Sequence, residues 1–236
     1  MITSEQDDAL RVVGNAALKN PLWIDYANYC FERKKGLRKE AFQRLDSFLK
    51  SAEGWGTAEK IAFLEFLFPF VETIPDADYG PLPHLLSEKL VKPGLLTWCE
   101  TENSDNRPFR WYGKYYKDES YLLKALELDP ADDLVREAII SEWMNTIYHS
   151  VHHLPEGYIG EPEKDLELAA EIRKHINLLS SEEQRKYWTN ELEEDLELVV
   201  NYMEWKQSGH ANLAQWGAEN AKRVSYGTTR IYYYGK

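Results

Sequence analysis

The sequence predicts an all-α fold built as a stack of antiparallel helix pairs, and three observations predict it. Apolar residues recur at three- and four-residue spacing along most of the 236 residues, the signature of helices burying one side. Cap and stop residues punctuate those stripes at intervals of one helix. Strand-type composition is confined to the tail Thr228–Tyr234, an extended segment with no partner strand in the sequence. With 43% apolar and 29% charged residues the chain is globular in composition.

Ser4 caps a helix through about Leu18, and Asn20-Pro21 breaks it and opens the next. Residues 22–35 form that second helix, stopped by Gly36. Leu37, Ala41, Leu45, Phe48 and Leu49 stripe a third helix, which ends before Gly54. Thr57 caps a fourth from Ala58 to about Phe68, where Pro69 kinks or ends it. A shorter helix, His84–Val91, stops at Lys92-Pro93-Gly94. The eight residues Thr101–Pro108 are the most turn-rich of the chain. They divide an N-terminal helical subdomain, 1–100, from a C-terminal one, 109–236, whether or not the two share one core. Beyond them, Asp129-Pro130 opens a long helix to about Leu154, closed by Pro155 and Gly157. Pro162 opens the next, with Ala169, Ile172, Ile176 and Leu179 as its stripe. Ser181 and Gln184 form a capping box ahead of a helix to about Gln207, and a last helix spans Ala211–Val224.

Composition narrows the function. The net charge of −12 disfavours a polyanionic partner such as nucleic acid. The longest apolar run, Ile61–Val71, contains Glu65 and Pro69 and is too short to cross a bilayer. The N-terminus carries Glu5, Asp7 and Asp8 with no apolar stretch of the signal-peptide kind. Two cysteines, Cys30 and Cys99, make no disulfide framework, and Cys30 among Tyr26, Tyr29 and Phe31 is expected as a buried, inert thiol. A reducing cytoplasm is the expected compartment. The chain has no phosphate-cradling G-x-x-x-x-G-K-[ST], no G-x-G-x-x-G, no H-E-x-x-H, no C-x-x-C and no G-x-S-x-G. No cofactor is implied, and catalysis is not the leading reading.

One family resemblance is present. Tyr121-Leu122-Leu123-Lys124-Ala125-Leu126-Glu127-Leu128-Asp129-Pro130 resembles the end of a tetratricopeptide repeat's second helix, with an alanine five residues before the closing proline. Trp111, Gly113 and Tyr116 resemble the aromatic–glycine–aromatic signature of the repeat's first helix. The match covers residues 111–130, and it implies a curved stack of helix pairs whose concave face grips a peptide or protein.

Two surfaces stand out. On the long helix, His152, Asn145, His149, Glu142 and His153 fall within about 100° of one another on the helical wheel. The apolar residues Ile140, Trp143, Ile147, Val151 and Leu154 lie on the other side. His149 and His153, one turn apart, would suit a divalent ion only with a third ligand from elsewhere, so a metal-dependent all-α enzyme is the alternative function. The same polar face also suits contact with a partner.

The second surface is acidic. Residues 161–197 hold twelve acids and five bases, a balance of −7, whereas residues 31–50 hold seven bases and three acids. On the helix after Ser181, Leu192, Leu196, Val199 and Met203 point inward. Glu194, Glu197, Asn201 and Glu204 lie opposite as an outward ridge, and Leu198, Tyr202 and Trp205 form a second apolar side. Such a ridge would steer a basic protein, with tyrosine and tryptophan as anchors. The function expected is therefore a non-enzymatic protein-binding module with a basic protein partner, in one specific version an immunity-type protein that neutralises a basic toxin domain. The expected contact residues are Glu142, Asn145, His149, His152, His153, Glu194, Glu197, Tyr202, Glu204 and Trp205.

Overall fold

A computed structural model describes residues 4–73, 80–101 and 104–226, with side chains from residue 9 onward. The fold is all-α: every regular element among the described residues is helical. The tail Thr228–Tyr234 lies outside the described residues. The chain forms two compact units, Met1–Leu128 and Asp129–Lys236.

The first unit contains α1 (Ser4–Ala17), α2 (Ile24–Lys34), α3 (Arg38–Glu53), α4 (Thr57–Thr73), α5 (His84–Leu86), α6 (Lys92–Thr101), α7 (Arg107–Tyr116) and α8 (Glu119–Leu128). Helix α1 packs on α2, α2 on α3, α4 on α6, α6 on α7 and α7 on α8. Several local signals act where the sequence places them. The Asn20 side chain accepts from the Leu22 amide at 3.0 Å and caps the 3-10 turn Pro21–Trp23. Gly36, at φ 76°, ends α2 in the left-handed conformation that favours glycine.

At two prolines the helix does not end, because packing holds the turns around them. Pro69 lies inside α4, which continues to Thr73. The turn beyond Pro69 is held by tertiary contacts. Phe70 and Val71 pack on the core, and Glu72 forms a largely buried ion pair with Arg110 of α7 at 2.9 Å. Lys92-Pro93-Gly94 likewise does not stop the helix: Ser87–Val91 widens into one π turn and α6 runs on to Thr101. A proline ring crowds the carbonyl four residues back, and a wider turn ahead of it relieves that crowding.

The turn-rich segment before Pro108 is not where the units divide. Asp105 accepts hydrogen bonds from the backbone and guanidinium of Arg107, and Arg107 also pairs with Glu65 of α4 at 2.9 Å. Trp111 stacks on Phe68 with ring centroids 4.8 Å apart, so α7 belongs to the first core. Polar turn chemistry marked the end of a helix, and buried aromatic area decided which body the next one joined.

The core of this unit is aromatic. Phe63, fully buried, meets the rings of Trp23, Tyr26, Phe48, Trp55 and Phe66 at centroid distances of 5.7, 5.1, 5.0, 6.1 and 6.0 Å. Tyr26 and Tyr29 carry hydroxyls into this core and donate them to the carbonyls of Pro81 and Gly80 at 2.7 and 2.8 Å. Cys30 is buried, as expected, and free, and burial pushes its thiol up to about 12.

The second unit contains α9 (Asp133–Val151), α10 (Pro162–Asn177), α11 (Glu182–Ser208) and α12 (Leu213–Asn220). Helix α10 packs on α9 and α11, and α12 packs on α11. The expected inward stripes are buried in Ala169, Ile172, Ile176 and Leu179 of the α10 region and in Leu192, Leu196 and Val199 of α11, with Met203 only partly buried against the same core. Ser181 caps α11 through the Gln184 amide, and Gly209 ends it at φ 69°. Helix α9 starts later than Asp129 suggests. Asp132 is its cap, accepting from the Val135 amide at 3.2 Å, while Asp129 bonds the Ala131 amide in the turn before it. It also ends at Val151, since Leu154 precedes a proline and that position is disfavoured in a helix. The last helix is shorter than the span Ala211–Val224. Ala221, at φ 53°, ends α12, and residues 222–226 turn back along α11.

Candidate functional site

The predicted contact residues all lie in the second unit, and residues 222–226 join their two groups. Asn145 and His149 are exposed on α9, and Glu142 lies one turn earlier, half-buried. His152 and His153 fall just past the helix end, in the turn that follows Val151. The imidazoles cluster: His149 and His152 are 5.3 Å apart between ring centroids, His152 and His153 4.0 Å. His152 Nδ1 faces the His149 carbonyl at 2.9 Å, and its ring stacks on Tyr148 at 5.3 Å. Among the described residues no three His, Cys, Asp or Glu side chains converge as a metal site, so the third ligand required by the metal reading is not supplied there.

On α11, Glu194, Glu197 and Glu204 are exposed as predicted, with 64, 50 and 44% of each side chain open to solvent. Asn201 is not: it is 3% exposed, and its Nδ2 donates to the Arg223 carbonyl at 2.7 Å. The ridge is therefore partly covered by the chain itself. Lys222 pairs with Glu204 at 2.9 Å, and Arg223 lies 3.5 Å from Glu197 and 3.8 Å from Glu194. Tyr226 donates its hydroxyl to Asp195, a carboxylate only 7% exposed, and burial holds that carboxyl above the usual range. The Tyr226 ring also meets Tyr148 at 5.3 Å, linking the acidic ridge to the histidine cluster.

The second apolar side of α11 is taken up within the unit. Leu198 is fully buried, Tyr202 stacks on Tyr158 at 4.6 Å, and Trp205 packs against the same core. Lys206 lies over both Tyr202 and Trp205, at 5.5 and 5.2 Å. Tyr158, whose hydroxyl donates to the buried carboxylate of Asp165, is what covers Tyr202. Nothing local in the sequence marks Tyr158, Tyr226, Lys222 or Arg223, because their partners are brought to them by turns and not by helical spacing.

His175 is not among the expected contact residues. Its ring meets Trp143 edge-on at 5.0 Å, and its buried Nδ1 has no hydrogen-bond partner. Burial, with the Arg136 guanidinium nearby, lowers its pKa. The neutral ring is thus favoured in the fold, so stability present above about pH 6.5, the ordinary histidine value, drains away as pH falls through it. His175→Phe keeps the edge-on ring contact and cannot titrate. Its melting temperature is expected to drop less than the wild type's between pH 7.5 and pH 5.5, roughly one unit either side of the ordinary value; an equal drop in thermal scans would assign the acid sensitivity to other groups.

In the first unit an open cavity of about 470 Å³ is lined by Arg11, Asn28, Phe31, Glu32, Lys34 and Lys35. No helix among the described residues is long and apolar enough to cross a membrane. Compared with protein-family models, curated proteins and solved structures, the chain matches none.

Proposed function

We propose that the protein is a non-enzymatic helical protein-binding module whose α11 face takes a basic segment of a partner protein. The observation that carries this reading is the occupancy of the ridge by cations: Glu194, Glu197 and Glu204 hold Arg223 and Lys222, with the Tyr226 ring 5.4 Å from the Arg223 guanidinium. A face that seats its own arginine, lysine and tyrosine has the chemistry to seat another chain's. Exposed Glu182, Glu183 and Glu191 extend the negative field along the same helix and would steer a basic partner toward it. Asn145, His149 and His153 form the neighbouring edge, with Glu142 and His152 beside them. In its narrower form the partner is a basic toxin domain and the chain is its immunity-type neutraliser. The tetratricopeptide-like helix pair α7/α8 would then be a scaffold element of the first unit. Two free thiols suit the reducing cytoplasm in which such a protein would act.

The test is charge reversal in the full chain. Glu194→Lys/Glu197→Lys should keep its helical circular dichroism yet associate with a purified basic partner about tenfold more slowly at low ionic strength. The difference should shrink as salt rises. Association at the wild-type rate would remove the α11 face from the reading.

A further inference from the structure

We infer that residues 222–226 are an internal stand-in for the partner, a latch that a partner segment of the same chemistry must displace. This inference rests on the α11 reading above and specifies it: the ligand is an extended segment with two consecutive cations and an aromatic hydroxyl three residues after the second.

The contacts define that pattern. Moving from Lys222 to Tyr226, the segment meets Glu204, then Asn201, then Glu197 and Glu194, then Asp195. From Glu204 to Glu194 it therefore runs back along one stripe of α11, in steps of three and four residues that share a helix face, and Tyr226 then reaches Asp195 beside that stripe. The charged partners are exposed, and such pairs are individually weak and screened by salt, so that part of the latch can let go. The polar partners are different. Asn201 and Asp195 are 3 and 7% exposed, and the groups bonded to them in this structure are the Arg223 carbonyl and the Tyr226 hydroxyl. The segment itself covers both groups, so any occupant that seals them from water in its place must supply those hydrogen bonds again, a buried polar group without a partner being costly. The face is consequently built for an occupant that brings a backbone carbonyl and a hydroxyl to those two points.

The segment is also placed with little slack. The Lys222 amide donates to the Gly217 carbonyl at 2.9 Å, and Val224 lies so close to Gly217 that a Cβ there would sit 2.8 Å from Val224 Cγ2. Tyr226 at its end meets Tyr148 beside His152. Displacing it uncovers the α11 stripe and the edge of the histidine cluster together, which makes the two predicted surfaces one site. A tethered segment competes at high effective concentration, so the free chain would hold its site closed against weak basic ligands and open it to one that matches the whole pattern.

The probe is a labelled peptide of the chain's own sequence, Ala-Lys-Arg-Val-Ser-Tyr, titrated by fluorescence anisotropy into the full-length protein. Arg223→Ala/Tyr226→Ala should bind it at least tenfold more tightly than the wild type, and adding Glu194→Lys/Glu197→Lys should abolish the gain. Equal affinity for variant and wild type would overturn the latch. Should the double variant fail to fold, hydrogen exchange on the wild type decides: excess peptide should speed exchange at residues 222–226 at least tenfold while α11 stays protected, and unchanged protection would overturn the latch. Partner association separates this result from the broader reading. If it depends on Glu194 and Glu197 but is no faster for Arg223→Ala/Tyr226→Ala, the latch fails and the binding face stands. If the peptide behaves as expected and partner association ignores the charge reversal, the latch stands and the partner reading fails.

Discussion

Phe63→Ala is expected to cost the first unit about 4 kcal/mol, the largest single effect anticipated in the molecule. Phe63 is fully buried and five aromatic rings surround it. Its removal forfeits the transfer energy of a phenyl group, and the remaining rings, being rigid, cannot collapse into the space. It also removes edge-to-face contacts such as that with Tyr26, set at 88°, worth about 0.5–1.5 kcal/mol beyond area burial. Against a typical domain stability of about 5–15 kcal/mol, the unit would sit near the edge of unfolding. Urea titration should show a lowered midpoint, and amide exchange should accelerate through α2, α3 and α4. Phe63→Leu keeps most of the volume and is expected to lose about 1.5 kcal/mol or less. A loss for Phe63→Ala as small as that of the leucine variant would show that the ring cluster does not act as one packed unit.

Gly113→Ala carries the second largest effect, and its sign is the informative part. In an unobstructed helix interior this change stabilises by about 1 kcal/mol, since alanine is the better helix former. Gly113 lies in α7 where α8 crosses it, and an added Cβ would meet Leu122 Cγ and the Leu122 backbone nitrogen, each at 2.8 Å. A backbone atom cannot swing aside as a flexible side chain can, so α7 and α8 must separate. Overpacking of this kind costs about 1–3 kcal/mol, with more where the backbone has to shift. We therefore expect a net loss of about 2 kcal/mol, read as a fall in the urea midpoint. Gly54→Ala is the control: the nearest atom outside its own neighbours, the Ser51 carbonyl oxygen, is 3.6 Å away, and little change is expected. A stabilising Gly113→Ala would mean that helix propensity outweighs the α7/α8 contact.

The binding surface was half legible. Glu194, Glu197 and Glu204 share a face because helical periodicity is a local rule, and that rule placed them outward correctly. The same rule placed Asn201 outward, and there it failed; it made Leu198, Tyr202 and Trp205 a second apolar side without saying what packs on it. A wheel projection knows the axis of its own helix and nothing of what lies against it. Residues 222–226 cover Asn201, and Tyr158 covers Tyr202. The histidines show the reverse case: periodicity put His152 and His153 on the α9 face, yet the helix ends at Val151 and a turn carries both rings.

By itself, then, the sequence determined the all-α class, most of the stripes that became both cores (Leu37, exposed ahead of α3, is an exception), and the ends set by a side chain two or three residues from the amide it caps, as at Asn20 and Ser181. Those features are decided within one helical turn, where no distant residue competes. Only the tertiary structure decided that α4 runs through Pro69, that a π turn carries the chain through Pro93, and that Trp111 assigns α7 to the first core. It also decided that the negative ridge meets Arg223, up to 29 residues along the chain. Each of these depends on where intervening turns deliver a second group, and buried area or paired charge at that meeting point outweighs the local preference of either segment.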